Sequence, residues 1–170
     1  NHENIVRLYD SNYLKYNKKK YFYLSMEFIS GEDLFSLLKR KGKITLDLAL
    51  KLQKEICQGL QFMHDQEKPI IHRDIKPQNI LLNYNTEPIS VKISDFGVSA
   101  VIDKNFKVVS SAGTLSYMSL ECLNGIADKS NDLFSAGIIF YEMLTGHQPW
   151  EYNFENITDQ EEIKTQIILA

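Results

Sequence analysis

A chain of 170 residues, 44% hydrophobic and 24% charged, is long and apolar enough to bury a sizeable core and too balanced in composition for a disordered segment. Its formal net charge of -3 argues against a surface for nucleic acid, and no apolar run reaches the roughly 18 residues that a membrane span needs. Cys57 and Cys122 have no Cys or His at metal-ligand spacing and read as buried thiols of a reducing compartment. With no signal peptide in view, the expectation is a soluble, cytoplasmic protein.

In chain order, residues 4–9 and 21–26 are β-rich runs on either side of a Lys/Asn-rich turn at residues 15–20, and they read as a hairpin. The turn lysines mark either a solvated tip or a docking patch. Residues 31–40 read as a short amphipathic helix, with Asp33 placed to complement its macrodipole. Thr45 is a candidate N-cap for a long helix in which Ala49, Leu52, Ile56, Leu60 and Met63 recur at helical spacing, a stripe expected in the core. His72 follows and is expected to pack beneath a loop, not to act as a base. Residues 80–82 and 91–93 alternate about a turn at residues 83–88 and form a second hairpin. Residues 132–144 are apolar nearly all round and too short for a membrane span, so they predict a buried core helix, stopped by Gly146 with Pro149 just beyond. After Trp150 a polar linker leads into a last helical pattern at residues 159–169.

The chemistry is concentrated between His72 and Gly97. His72-Arg73-Asp74-Ile75-Lys76-Pro77-Gln78-Asn79 sets a carboxylate, an ammonium group and a carboxamide on one Pro-stiffened loop, and Asp95-Phe96-Gly97 adds a second carboxylate on a Gly-ended turn. Such groups suit phosphoryl transfer. Asp74 can accept the proton of a substrate hydroxyl, Lys76 can meet phosphate charge, and Asn79 with Asp95 offers hard oxygen ligands for magnesium.

At these offsets the two motifs together resemble those of the eukaryotic-type serine/threonine protein kinases. The resemblance implies an α+β, protein-kinase-like fold: a truncated β small lobe and hinge over residues 1–30, and a mostly helical, incomplete large lobe over residues 31–170. It implies ATP and Mg2+ as cofactors and protein substrates presenting Ser or Thr. Met26 then corresponds to the gatekeeper beside adenine, Glu27, Phe28 and Ile29 to the hinge, Asp33 to a ribose-contacting acid, and Leu81 to the apolar floor. Asp132 corresponds to the anchor of the catalytic-loop backbone, and Phe134 stands where Trp is common.

The stretch from Asp95 to Glu121 resembles an activation segment. In it Thr114 is implied to touch Asp74 and Lys76, and Arg73 to grip a phosphate carried by Ser110 or Ser111. Lys76 and Gly113-Thr114 match the serine/threonine branch. Ser119-Leu120 replaces the usual Ala-Pro, which implies a loop less stiffened by a fixed φ. Glu121 is implied to pair with a distant arginine, for which no candidate occurs before Ala170. Residues 1–170 contain neither the Gly-rich loop nor the strand lysine of the family, so this chain alone is expected to be inactive. The alternative is a pseudokinase scaffold or regulatory binding module, whose usual signature is loss of Asp74, Asn79 or Asp95; all three are present.

Overall fold

The computed structural model describes residues 1–97, 99–101, 108–109, 113–150 and 165. It opens with an antiparallel hairpin of β1 (Leu8–Tyr16) and β2 (Lys19–Met26). The turn is only Asn17-Lys18, both at positive φ (49° and 62°). Two left-handed residues form the tight turn whose twist matches that of its strands, so the ladder runs further toward the tip than composition predicts. The first strand is correspondingly displaced from the expected residues 4–9. Asn4 instead belongs to the large lobe: its amide donates to the Val91 carbonyl at 3.1 Å, and its carbonyl accepts from Ile93 N–H at 2.8 Å.

A helical lobe follows. In α1 (Leu34–Lys41), Asp33 is the N-cap, its Oδ1 accepting the Ser36 N–H at 2.8 Å. Thr45 precedes α2 (Leu46–His64) as its cap residue but makes no side-chain cap bond. The stripe Ala49, Leu52, Ile56, Leu60 and Met63 is buried as expected. Next come β3 (Ile70–Ile71), a 3-10 turn at Pro77–Asn79, and the paired strands β4 (Ile80–Asn83) and β5 (Ser90–Ile93). Short strands β6 (Ala100–Val101) and β7 (Val108–Val109) precede a 3-10 turn at Leu115–Tyr117, then α3 (Leu120–Leu123), β8 (Ile126–Ala127) and α4 (Lys129–Thr145). β6 pairs with β3, and β8 with β7.

The core lies where α1, α2 and α4 converge on the β4–β5 ladder, with Leu34, Leu52, Ile56, Ile80, Leu82, Ile93, Ile139 and Met143 almost wholly buried. The segment before α1 lies close against this ladder: Tyr84 N–H and Leu82 N–H donate to the Ser30 and Glu32 carbonyls at 2.9 and 2.8 Å. Between those bonds a Cβ on Gly31 would come within 1.8 Å of the Leu82 carbonyl oxygen, which is why the position has none.

Two features of α4 differ from expectation. It begins one turn early, because Asp128 and Asn131 form a reciprocal capping box. Nor is it buried on every side: Leu133 and Tyr141 are exposed, while the polar Asn131, Asp132 and Ser135 are buried. Gly146 closes the helix in the left-handed conformation (φ 87°), as its position predicts. Trp150 is buried and stacks on Phe134 with 6.4 Å between ring centroids. Among the described residues no helix is long and apolar enough to cross a membrane; the helical pattern at residues 159–169 lies outside the described residues apart from Thr165.

Candidate active site

The loop between β3 and β4 is held from below by one carboxylate. Asp132, 1% exposed on the buried side of α4, accepts His72 N–H through Oδ2 and Arg73 N–H through Oδ1, each at 2.9 Å. His64 Nε2, at the end of α2, lies 2.8 Å from the same Oδ2. This is the backbone anchor implied for Asp132. With both N–H groups fixed, Arg73 takes a left-handed conformation (φ 69°) that a non-glycine residue adopts only where its surroundings compel it.

His72 is fully buried, and its two partners set its tautomer. Nε2 donates to the Ser94 carbonyl at 2.9 Å, and Nδ1 accepts Asp74 N–H at 3.3 Å. Both nitrogens are satisfied by a neutral ring. Burial pushes the imidazole below its ordinary value, against the opposing pull of the Ser94 carbonyl and of Asp132, Asp74 and Asp95. His72 is thus a structural pillar of the loop.

Above it, three predicted side chains close a ring. Asp74 Oδ1 accepts the Thr114 hydroxyl at 2.8 Å, Lys76 Nζ donates to Thr114 Oγ1 at 2.9 Å, and Lys76 Nζ lies 2.7 Å from Asp74 Oδ2. Asn79 braces the same carboxylate, its Nδ2 donating to Asp74 Oδ2 at 3.2 Å and to the Asp74 carbonyl at 2.8 Å. Half-burial opposes ionisation of Asp74. The hydrogen bonds from Lys76 and Thr114, the Lys76 charge and the Asn79 amide outweigh it, so the carboxyl is held below its usual range. Thr114 reaches the ring because the chain approaches closely at Gly113, where φ is 130° and a Cβ would fall 2.3 Å from the Arg73 carbonyl oxygen.

Asn79 also reaches toward the second carboxylate. Its carbonyl accepts Ser94 N–H at 2.9 Å and Ser94 Oγ–H at 3.1 Å, which sets Asp95 at the end of the β4–β5 ladder. Asp95 is exposed, left-handed (φ 62°), and accepts Gly97 N–H at 3.1 Å through Oδ1. With the Asn79 Nδ2 spent on Asp74, its Oδ1 is the atom left for a cation. A carboxylate plus a carboxamide oxygen fits Mg2+, which takes one or two protein ligands and completes its shell with phosphate and water.

Asp95 closes one end of a cleft of about 820 Å3 between the hairpin and the helical lobe, a volume suited to a nucleotide-sized ligand. Its walls are mainly apolar, from Val6, Leu8, Phe22, Leu24, Met26 and Leu81, with Glu27 and Ser94 as polar members. Leu81 points into it because alternation along β4 turns Ile80 and Leu82 into the core. Of the predicted cofactor residues, Met26, Glu27 and Leu81 line this cleft, whereas Ile29 and Asp33 do not. Asp33 bridges to Leu81 in the backbone and turns its carboxylate to Ser36. Ser110 and Ser111 lie outside the described residues.

Other contributors had weaker signals. Asn131, Ser135 and Glu142 share one face of α4 and hold the segment after Thr114. Asn131 Nδ2 meets Ser119 Oγ, Ser135 Oγ–H donates to the Tyr117 carbonyl at 2.7 Å, and Tyr117 OH donates to Glu142 Oε2 at 2.7 Å. Burial raises the Tyr117 phenol and the Glu142 carboxyl. The clue was a polar repeat four and seven residues apart in an otherwise apolar helix.

A small β unit and a mostly helical lobe, with this cleft between them and a bracketed carboxylate beside it, define a two-lobed α+β class. The family model for the protein kinase domain matches residues 1–170. The chain is 36% identical over 149 residues to calcium-dependent protein kinase 5 of Plasmodium falciparum, covering 88% of this chain and 25% of that protein. It is 35% identical over 150 residues to calcium/calmodulin-dependent protein kinase type 1 of Caenorhabditis elegans, covering 88% of this chain and 41% of the relative. The chain therefore belongs to the protein kinase domain family, and it spans well under half the length of these relatives.

The buried neutral His72 makes a pH prediction. Its folded pKa lies below the unfolded value near 6.5, so its contribution to stability is present above that pH and is lost as pH falls through the folded value. Unfolding free energy should drop by up to about 1.4 kcal/mol per pH unit below roughly pH 6.5 on this account. Denaturant titrations at several pH values, compared with His72→Gln, test it: equal slopes in the two proteins would exclude His72 as the source.

Proposed function

We propose that the protein containing this chain transfers the terminal phosphoryl group of ATP to serine or threonine hydroxyls of protein substrates. The observation that carries the reading is the Asp74–Lys76–Thr114 ring braced by Asn79. The ring keeps Asp74 ionised and aimed, ready to take the proton of an incoming hydroxyl as its oxygen attacks phosphorus. Lys76 sits within reach of that carboxylate and can shift its charge toward the transferring phosphate. Magnesium, when bound, would neutralise phosphate charge, and Asn79 and Asp95 are the residues to hold it. The cleft walls Met26, Glu27 and Leu81 would receive adenine, with backbone groups of residues 27–29 as its hydrogen-bonding partners. The names of the relatives support a protein kinase, and the serine/threonine assignment rests on Lys76 and Gly113-Thr114.

Arg73 supports a regulatory reading of the same loop. Its backbone is clamped by Asp132, yet among the described residues its buried Nε has no hydrogen-bond partner. A phosphate on Ser110 or Ser111 would supply a charge-assisted acceptor and order the activation segment.

Three measurements on the full-length protein test these assignments. Asp74→Asn keeps shape but accepts no proton, so kcat should fall on the order of a hundredfold or more with nucleotide affinity little changed; a variant working at the parental rate would sink the role of Asp74. Asp95→Ala should weaken nucleotide binding in calorimetry far more with magnesium than without it, and equal losses in both would remove Asp95 as a ligand. Phosphatase treatment should lower the activity of the wild type to that of the Ser110→Ala/Ser111→Ala double variant. If dephosphorylation costs nothing, Arg73 is not a phosphate sensor.

A further inference from the structure

The first hairpin ends in an unusual charge arrangement. From Ser11 to Met26 there is no Asp or Glu, yet Lys15, Lys18, Lys19 and Lys20 crowd the tip of a chain whose net charge is -3. The ladder register sets Lys15 directly opposite Lys20, a like-charge cross-strand pair that costs stability. Among the described residues none of the four ammonium groups meets a carboxylate. Among the described residues the one contact of the group is the ring of Tyr13, with Lys20 Nζ 3.9 Å from its centroid. The Asn17-Lys18 turn holds these charges together at a single point. No carboxylate among the described residues relieves their mutual repulsion, and an anion outside the fold would.

We propose that this tip, Lys15, Lys18, Lys19 and Lys20 with Tyr16 and Tyr21, docks on an anionic membrane surface. Shape selects the partner. Every residue from Lys15 to Tyr21 is exposed on a projecting two-stranded ribbon, which offers no groove to an acidic peptide and fits a plane. Side-chain chemistry agrees. Leu14, Tyr16, Lys19 and Tyr21 share one face of the ribbon by strand alternation and register. Tyr16 is 65% exposed and Tyr21 45%. Tyrosines seat their rings at the headgroup level with the hydroxyl toward water, and lysines beside them meet lipid phosphate and carboxylate. The opposite face carries Lys15 and Lys20 at the tip and, further back along the ribbon, Phe22 and Leu24, which line the nucleotide cleft. Docking through the outer face and tip therefore leaves that cleft open, and the proposal stands independently of the catalytic assignment.

Vesicle flotation of the full-length protein tests it, with phosphatidylcholine vesicles containing roughly 30 mol% phosphatidylserine against phosphatidylcholine alone. The protein should float with the anionic vesicles only and be released by about 0.5 M salt. Each Lys→Gln change at the tip should lower partitioning about fivefold, while the corresponding Lys→Arg changes should preserve it. Tyr16→Ser with Tyr21→Ser should weaken binding without altering its salt dependence. Phosphorylation of a soluble peptide by Lys19→Gln should match the wild type, because the tip touches no residue of the catalytic ring. Failure to float with anionic vesicles would overturn the proposal, as would flotation that survives all four Lys→Gln changes. So would tighter binding of a polyglutamate peptide or a single-stranded oligonucleotide, either of which would make the tip a site for another polyanion.

Discussion

Burial of the Asp132 carboxylate is the constraint on which the site depends. A charge taken out of water in a helix must be repaid by hydrogen bonds, and leaving such a group unpaired costs several kcal/mol. Here the donors are His72 N–H and Arg73 N–H, with His64 Nε2 beside them. The requirement runs in both directions. α4 cannot pack with Asp132 inward unless the catalytic loop presents those N–H groups, and the loop cannot hold Arg73 left-handed unless something fixes its backbone. One carboxylate thus ties the packing of α2 and α4 to the conformation from which Asp74 projects.

The second dependence runs from α4 through the segment that carries Thr114. Ser135, Glu142 and Asn131 secure Tyr117 and Ser119, and Gly113 brings Thr114 onto the Asp74–Lys76 pair. Where the family commonly has Ala-Pro, Ser119 is buried, caps α3 by accepting Cys122 N–H at 3.3 Å, and joins the capping box of α4 through Asn131. A fixed φ is one way to stiffen this turn. A satisfied hydroxyl network is another, so the substitution that predicts a looser loop comes with its own restraint.

Much of this was legible in the chain because the chemistry is local. Asp74, Lys76 and Asn79 lie within six residues, and a Pro-stiffened loop leaves them few ways to be arranged except together. The stripe of α2 was legible because apolar period and burial coincide. Four things were not. The left-handed Arg73 depends on Asp132, far away in sequence, so no local propensity marks it, and the early start of α4 rests on a capping box that has Asn131 where Glu or Gln is usual. The hairpin boundaries shifted because Asn17-Lys18 turns the chain without a glycine and because Asn4 finds better hydrogen bonds in the large lobe. Asp33 was open between a helix-dipole charge and a ligand contact, and the structure makes it the N-cap of α1, with both oxygens turned to Ser36.

The two lobes are joined by a different kind of contact from the one that holds the large lobe together. Inside the large lobe the adhesion is apolar and deep. Between lobes it is polar and narrow: Val6 N–H to the Ile93 carbonyl and the Lys92–Glu27 ion pair, each at 2.9 Å. Glu27 is partly desolvated, which opposes its ionisation, but its bonds to Lys92 and Arg7 prevail and hold its carboxyl low. Among the described residues β1 and β2 contribute nothing to the buried core, and the ring around Asp74 is assembled by the large lobe. The hairpin contributes walls to the cleft and nothing to that ring. Forming the cleft is therefore separable from aiming the base, and Asp95, exposed at the edge where the two meet, is the group whose surroundings depend on both.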